Sequence, residues 1–406
     1  MKIGLVRHLA SIAVGVFGSH LAMGGPIRSF ATEEKFLRRH TEVLRLEAPD
    51  RSGGEVLVAP KYQGRVMTST LSGRTGASLG WINHDLIAAG KRLPHINAFG
   101  GEERFWIGPE GGQYSIFFAP GQEFDLSHWQ TPALIDTEAF DLVSSDHSSA
   151  RFRRDAHLTN YTGTAFALRI ERKIEVLDRK QALGRVGAAD VAGLKVVGYQ
   201  STNRLTNMGS QAWKKETGLL SIWLLGMYNA SNSAVIAIPY AGSRDANPVN
   251  DVYFGRPPAD RLKIGERTVF FRADGAARGK IGLPPTSARD TLGAYDAASG
   301  VLTIVTFDKP AGAVDYVNSL WKAQPDPFKG DVVNAYNDGP PAPGAPQLGQ
   351  FFELETSSPA AELQPGASIV HMQSTFHLQG DRSALDGLAQ RLLGASLSQI
   401  ASALGP

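Results

Sequence analysis

Residues 351–378 read FFELETSSPAAELQPGASIVHMQSTFHL, and this stretch decides the fold expected for the chain. Side chains alternate along a β-strand, so Glu353 and Glu355 project from one face of a first strand. After a turn rich in Pro and Gly, a second strand places His371 and His377 on one face and apolar side chains on the other. The pattern predicts either the wall of a polar cleft or an ordinary solvated sheet face.

Composition narrows the class of protein. The chain has 406 residues, enough for one large all-β domain or two smaller domains. Because 41 Lys and Arg nearly balance 39 Asp and Glu, neither a nucleic-acid partner nor an electrostatic membrane anchor is predicted. The absence of Cys from the sequence excludes disulfides, thiolate nucleophiles, Cys-ligated metals and a lipoprotein anchor.

The first 25 residues have the pattern of a targeting segment. Lys2 and Arg7 form a basic end, 9–17 is an apolar run, and 22–25 is a small-residue exit. We therefore predict a signal peptide over 1–25 and export to the periplasm or the outside of a bacterial cell. The alternative is a disordered or helical cytosolic N-terminus.

Most of the remaining chain reads as short strands without intervening helices. Residues 168–176 alternate between apolar and polar, and 302–307 are apolar and mostly β-branched. Helical spacing of Leu and Ile is convincing only at 383–404, and 324–348 reads as a long loop. We expect one antiparallel sandwich domain over 30–406 that ends in a C-terminal helix.

The opening stretch also carries a family resemblance. Glu355-Thr356, Pro359, the LQPG turn at 363–366 and His371 follow one another in an order that resembles the C-terminal strands of aldose 1-epimerases, the galactose mutarotases. The resemblance implies a β-supersandwich that holds a sugar in a concave sheet face. It also implies that Glu355 is the catalytic base.

A second likeness lies near GGEERFWI, where that family has a Gly-rich turn before a substrate-contacting Arg; it implies that Arg104 contacts substrate. Four longer stretches are typical of an uncharacterised family of secreted bacterial proteins in the galactose mutarotase-like superfamily. They are 100–113 (GGEERFWIGPEGGQ), 207–227 (NMGSQAWKKETGLLSIWLLGM), 330–339 (GDVVNAYNDG) and 353–360 (ELETSSPA). This likeness covers most of the mature chain and implies a fold without an activity.

The candidate acid departs from the mutarotase pattern. Mutarotases carry a mid-chain His that protonates the ring oxygen, but the corresponding stretch, 206–213, contains no His. Mutarotation needs both an acid and a base. Since imidazole titrates near neutrality, His371 is the candidate catalytic acid and His377 a candidate substrate-binding residue. Both are open to the alternative of an ordinary structural histidine.

Further candidate binding residues surround the second likeness. Arg104 or Glu103 would bond sugar hydroxyls while Trp106 stacks on a sugar face; the alternative is an Arg–Glu pair that closes a turn over a buried Trp. Alternation puts Glu103 and Arg104 on opposite faces without showing which one meets the cleft. Glu353, beside the candidate base, and His128, in a loop, complete the set of candidates.

No cofactor and no metal site are predicted. The histidines show neither HxH nor HxxxH spacing, and the sequence has no phosphate-cradling Gly loop before a helix and no nucleophile elbow. Lys280 and 334–338 could reach a sugar, but turn-forming Asn and Asp explain the latter as well.

The sequence thus predicts a secreted carbohydrate-active protein with a carbohydrate ligand, working by epimerisation, hydrolysis or elimination. The first alternative is a non-catalytic glycan-binding protein that has lost the acid. The second is a structural envelope protein with a filled groove, in which Glu355 is tied to a buried Arg or Lys. The sequence specifies neither the sugar nor an oligomeric state.

Overall fold

The computed structural model describes residues 28–405, apart from 245–246 and 343, so the signal peptide expected at 1–25 lies outside the described residues. The helices are α1 (Phe30–His40), α2 (His84–Ala89), α3 (Ala133–Asp136), α4 (Arg179–Val186), α5 (Arg382–Leu393) and α6 (Leu397–Ser402). The strands are β1 (Leu44–Glu47), β2 (Glu55–Ala59), β3 (Arg65–Thr70), β4 (Arg104–Gly108), β5 (Asp141–Ser145), β6 (Ser149–Thr159), β7 (Ala165–Val176), β8 (Lys195–Asn207), β9 (Ser221–Asn229), β10 (Ala234–Pro239), β11 (Leu262–Ile264), β12 (Thr268–Arg272), β13 (Gly279–Leu283), β14 (Thr291–Asp296), β15 (Val301–Phe307), β16 (Val333–Asn337), β17 (Phe351–Ser357) and β18 (Ser368–Gln379).

These strands form three antiparallel sheets. A small sheet has the order β1-β2-β3, a ten-stranded sheet the order β11-β12-β10-β14-β15-β18-β8-β7-β6-β5, and a five-stranded sheet the order β13-β16-β17-β9-β4. The two larger sheets face each other, since Thr356 on β17 and His371 on β18 meet across the space between them. The protein is therefore an all-β supersandwich with C-terminal helices, and the predicted fold class is confirmed.

One face of the five-stranded sheet packs against the hydrophobic core, and the opposite face points away from it. Ile281, Ala335 and Leu354 belong to a hydrophobic core cluster that includes residues of the ten-stranded sheet. Side chains at alternate positions point away from that core. These outward positions are Arg104 and Trp106 on β4, Trp223, Leu225 and Met227 on β9, Lys280 on β13, Tyr336 on β16, and Phe351, Glu353 and Glu355 on β17.

Strands β17 and β18 follow each other in sequence but belong to different sheets. In β18 the apolar side chains Phe376 and Leu378 lie in a core cluster with the C-terminal helices. The imidazoles of His371 and His377 point the other way, into the buried space between the sheets. The expected single cleft wall made of both strands is therefore wrong, because their polar faces do not meet at one surface.

The C-terminal segment expected as one helix over 383–404 contains two. Asp381 caps α5 by accepting from the Ala384 N–H, and Gly394 ends it in a left-handed conformation at φ 74°. Ser396 then caps α6 with a capping box. Such caps stabilise a helix by about 1 kcal/mol each. Leu385, Leu388, Leu393, Leu397 and Ile400 bury the apolar faces of both helices against the ten-stranded sheet.

The segment 324–348, predicted as a loop, contains the strand β16. β16 pairs with β13 and β17 and so occupies the interior of the five-stranded sheet. The alternation Val333, Asn334, Ala335, Tyr336 indicates a strand, but the surrounding Pro and Gly favour a loop.

Within the described residues, no helix is long and apolar enough to span a membrane.

Candidate functional site

A cavity of about 660 Å³ lies over the face of the five-stranded sheet that points away from the core, and we call it the central cavity. Each of the five strands contributes at least one side chain to its floor. Loops supply its walls and mouth, with lining residues at 93–96, 110, 126, 127, 129, 254, 278, 321, 338, 339, 341, 346 and 348. Neighbouring strands lie about 4.8 Å apart, so the sheet fixes the spacing of the floor residues while the loops set the shape of the mouth.

An ion pair between two strands lies on the floor. Arg104 on β4 donates through Nη2 to Glu353 Oε1 on β17, across the intervening β9. The guanidinium carbon of Arg104 lies 4.8 Å from the centroid of the Trp106 ring. Arg104 Nε has no hydrogen-bond partner among the described residues. The pair therefore borders the cavity with an unused donor.

Glu353 is the carboxylate of β17 that meets the central cavity. Burial raises the pKa of Glu353 to about 7, Arg104 opposes that rise, and the neighbouring Glu355 adds to it. A carboxyl group with this pKa is present in both protonation states near neutral pH. It can therefore give or accept a proton there.

Glu355 lies two residues further along the same strand but does not line the central cavity. It is fully buried, and its Oε2 accepts from Trp223 Nε1 and Lys280 Nζ, each at 2.9 Å. Its Oε1 has no partner among the described residues. The expected position of Glu355 in an open hollow is wrong, because the side chains of Lys280 and Trp223 stand between it and the cavity.

Lys280 is the cation that covers this buried carboxylate. Its Nζ lies 4.7 Å from the centroid of the Trp223 ring. Burial lowers the pKa of Lys280, but the attraction of Glu355 and of Glu110 outweighs burial and leaves that pKa raised. Lys280 thus stays charged and lines the floor of the central cavity. The sequence indicates only a strand position for Lys280 and does not mark it as the partner of Glu355.

Four tryptophans line the central cavity: Trp106 and Trp223 on the floor, and Trp129 and Trp321 on the loop walls. The ring centroids of Trp106 and Trp223 are 5.4 Å apart, edge to face, and those of Trp129 and Trp321 are 5.7 Å apart and stacked. The indole N–H groups of Trp106 and Trp129 are buried and have no partner among the described residues. Buried N–H donors are normally bonded, so these two unpartnered groups on cavity-lining residues are exceptions.

Two further carboxyl groups and a guanidinium lie on the loop side. Burial raises the pKa of Glu110 and also that of Asp338, which accepts from the Tyr336 hydroxyl at 2.6 Å. The guanidinium carbon of Arg278 lies 3.9 Å from the centroid of the Phe254 ring. Trp223 and Leu225 are two positions apart in an apolar run that predicts a strand, so they share one face of it. The sequence does not indicate that the loop residues Glu110, Arg278 and Asp338 lie close together.

Three of the predicted site residues face the space between the sheets instead of the central cavity. Glu103 accepts from Arg172 Nη2 at 2.7 Å, in an ion pair with both side chains fully buried. His371 Nε2 lies 2.8 Å from Thr356 Oγ1, and His377 Nε2 lies 3.1 Å from a carboxylate oxygen of Glu102. For Glu103 the reason is the alternation of side chains along the strand. Glu103 points to the same side as the core residue Phe105, and Arg104 points to the opposite side.

The predicted loop histidine lies beside the mouth. His128 Nδ1 is 2.8 Å from Asp125 Oδ1, and the side chain is partly exposed. Its neighbours Ser127 and Trp129 line the central cavity, whereas His128 does not. Of the predicted residues, Arg104, Trp106 and Glu353 come together on the cavity floor. Among the described residues, no three or more His, Asp or Glu side chains are grouped so that they could hold a metal ion.

Comparisons with known proteins add a family and a fold. Residues 28–404 match a family described as a family of unknown function, DUF6786. The Slr1438 protein from Synechocystis sp. PCC 6803 is 12% identical, with a TM-score of 0.50 over 84% of this chain and 96% of that one, so the two share a fold. A galactose mutarotase-like protein from Lactobacillus casei is 11% identical, with a TM-score of 0.42 over 84% of this chain and 100% of that one. Among proteins with curated descriptions, none matches the sequence.

Proposed function

The chain belongs to the family of unknown function DUF6786, and we propose that it binds a carbohydrate in the central cavity. The observation that carries the proposal is the floor itself, where the Arg104–Glu353 pair lies beside the indole rings of Trp106 and Trp223. A sugar ring presents hydroxyl groups at its edges and C–H groups on its faces. Charged groups beside aromatic faces suit both features.

The size and polar inventory of the central cavity support the same ligand class. About 660 Å³ falls within the range of about 300–1,000 Å³ typical of small-molecule sites. The unpartnered donors are Arg104 Nε and the indole N–H groups of Trp106 and Trp129. Glu353 and Asp338 supply acceptors. A hydroxyl group both donates and accepts, so it can satisfy members of both sets.

Glu353 is the group best suited to proton transfer in this cavity. Its pKa of about 7 fits an acid or a base that works near neutrality. Glu355, the base that the mutarotase resemblance implies, is instead held by Lys280 and Trp223. We therefore place any acid–base step at Glu353, without assigning epimerisation, hydrolysis or elimination.

The second candidate function is glycan binding without catalysis. It is favoured by one specific observation: the carboxylate of Glu355 is neutralised by Lys280 and covered by Trp223, which leaves Glu353 without a second, free carboxylate on its own strand. The same ion pair is the one expected of a structural envelope protein, but the central cavity beside it is not the filled groove that this alternative requires. Most glycosidases use a pair of carboxyl groups on either side of the bond that breaks. Glu110 and Asp338 are the remaining acids of the cavity that could act with Glu353.

The test is a panel of mono- and oligosaccharides, assayed with the purified protein for binding by calorimetry and for product by NMR. If the protein is catalytic, Glu353→Gln should lower turnover by about 10²–10⁴-fold and retain binding. The exposed Glu362→Gln is the matched control and should behave as wild type. Binding without product would favour the second candidate, and a wild-type protein that binds no member of the panel would refute carbohydrate binding.

We also propose that the protein is exported to the periplasm or the medium as a single domain over 30–406. The basic, apolar and small-residue pattern of 1–25 supports export. Mass spectrometry of the protein from fractionated cells would show a chain lacking about the first 25 residues outside the cytosol. An intact Met1 in a cytosolic fraction would contradict export.

A further inference from the structure

The mouth of the central cavity differs from its floor. We propose that the carbohydrate ligand is a glycoside with an apolar aglycone, either an alkyl or acyl chain or an aryl group, which lies in the mouth while the sugar occupies the floor. This inference rests on the proposed function and names the substrate class within it. The parts of the cavity that would hold each half of the ligand come from different elements of the fold.

Four large apolar side chains stand exposed at the mouth. Leu93 is 50% exposed, Leu126 53%, Phe254 43% and Leu348 44%, and all four line the central cavity. Each comes from a different loop. Single exposed apolar residues are ordinary on protein surfaces, but several that converge on one opening mark a binding surface. We call these four residues the apolar mouth.

The chemistry changes with depth. Arg104, Lys280 and Glu353 are buried on the strands of the floor. Pro94, Pro341 and Pro346 extend the apolar mouth, and all three are exposed. Prolines add no backbone N–H donors and little conformational freedom. The depth profile therefore runs from the buried charged groups Arg104, Lys280 and Glu353 at the sheet to an exposed apolar patch at the rim, with Glu110, Arg278 and Asp338 also on the loop side.

This profile distinguishes a glycoside from a longer glycan. A sugar unit in the mouth would bring most of its hydroxyl groups against Leu and Pro side chains, where few hydrogen bonds replace the lost hydration. An alkyl or aryl group in the same place removes apolar surface from water on both sides, which is favourable in proportion to the area buried. Because the mouth is continuous with the charged floor, one molecule with a polar and an apolar end fits both.

The experiment compares matched pairs of glycosides by calorimetry. The probes are the methyl and n-octyl β-glycosides of glucose, galactose, mannose and N-acetylglucosamine, with the octyl compounds below their micellar concentrations. For the sugar that the floor accepts, we expect the octyl glycoside to bind at least tenfold more tightly than its methyl partner. 1-Octanol and n-octyl sulfate serve as probes that have the chain without the sugar.

Variants connect the difference to the apolar mouth. The double substitution Leu126→Ser, Leu348→Ser should reduce the octyl-to-methyl affinity ratio by about tenfold. Both side chains are exposed, so folding should tolerate the change. The matched control is Leu142→Ser on β5, an exposed leucine outside the central cavity, which should leave the ratio unchanged.

The outcomes separate the two proposals. Equal affinities for methyl and octyl glycosides would overturn the apolar-aglycone inference and leave carbohydrate binding standing. If no glycoside of either kind binds, the apolar-aglycone inference fails, and carbohydrate binding fails with it only if the wider panel of mono- and oligosaccharides also shows no binding. If octyl sulfate or 1-octanol binds as tightly as every octyl glycoside, the sugar contributes nothing and the inference of a glycoside is again overturned.

Discussion

Arg104, the first residue of β4, and Glu103, immediately before it, point to opposite faces and differ in what surrounds them. Arg104 faces the central cavity, where it pairs with Glu353 and keeps an unpartnered Nε. Glu103 faces the space between the sheets, where it accepts from Arg172 and from Gln373 Nε2 at 3.1 Å. One pair borders open space and the other is sealed inside the protein.

Burial by itself does not distinguish the two pairs. Both pairs are nearly inaccessible to solvent. What differs is the completeness of their bonding. The guanidinium of Arg172 also donates to Asn203 Oδ1 at 2.6 Å and to the Gly64 carbonyl at 3.1 Å. The sealed pair is saturated by the protein, whereas Arg104 Nε of the cavity pair has no partner among the described residues.

The largest effect should come from breaking the sealed pair. Arg172→Met leaves the carboxylate of Glu103 buried without its cation, which typically costs 3–5 kcal/mol of folding free energy. We expect a loss of about 4 kcal/mol in urea denaturation. The matched control is Arg204→Met on β8, whose partner Glu171 lies 4.0 Å away with both side chains about half exposed. It should cost less than about 1 kcal/mol. Equal losses from the two variants would contradict a structural role for the sealed pair.

The cavity pair should reveal itself in the pH dependence of stability. The pKa of Glu353 is raised from 4.5 to about 7, so the native state holds a proton that the unfolded state releases. Its contribution is fully present below about pH 4.5 and is lost as pH rises through about 7. Denaturation at pH 5 and pH 8 should therefore show wild type losing up to about 3 kcal/mol more than Glu353→Gln, since each pKa unit corresponds to about 1.4 kcal/mol.

The same denaturation series with the exposed Glu362→Gln provides the control and should follow wild type. Other buried acids, such as Asp331 with a pKa raised to about 6, are present in every variant and cancel in the difference. Parallel curves for wild type and Glu353→Gln would show that the carboxyl group titrates normally.

A smaller effect should distinguish the cavity walls from the core. Trp321 is partly buried and stacks on Trp129 at the central cavity. Trp321→Ala removes one aromatic face, so we expect sugar affinity to fall about tenfold, or about 1.4 kcal/mol, by calorimetry. Trp321→Phe keeps an aromatic face and should retain most of the affinity. A variant that loses stability but not affinity would assign Trp321 to the core.

The sequence predicted the partition of β17 and β4 correctly. Alternation placed Glu353 and Glu355 on one face and separated Glu103 from Arg104, and the structure has both arrangements. It did not predict which residue of each pair, Glu353 or Glu355 and Glu103 or Arg104, lines the central cavity. Glu355 lies on the cavity side of the sheet, yet Lys280 from β13 and Trp223 from β9 cover it. These residues are distant in sequence from β17, so no local pattern could show the covering.

The sequence by itself determined the all-β architecture, the alternation of each strand and the location of the C-terminal helical segment, because these depend on the period of apolar residues along the chain. Only the tertiary structure decided that β17 and β18 lie in different sheets, that His371 and His377 are enclosed between those sheets, and that charges from β4, β13 and β17 meet on one floor. The reason is that side-chain direction is local, whereas the choice of strand neighbours depends on contacts between residues hundreds of positions apart.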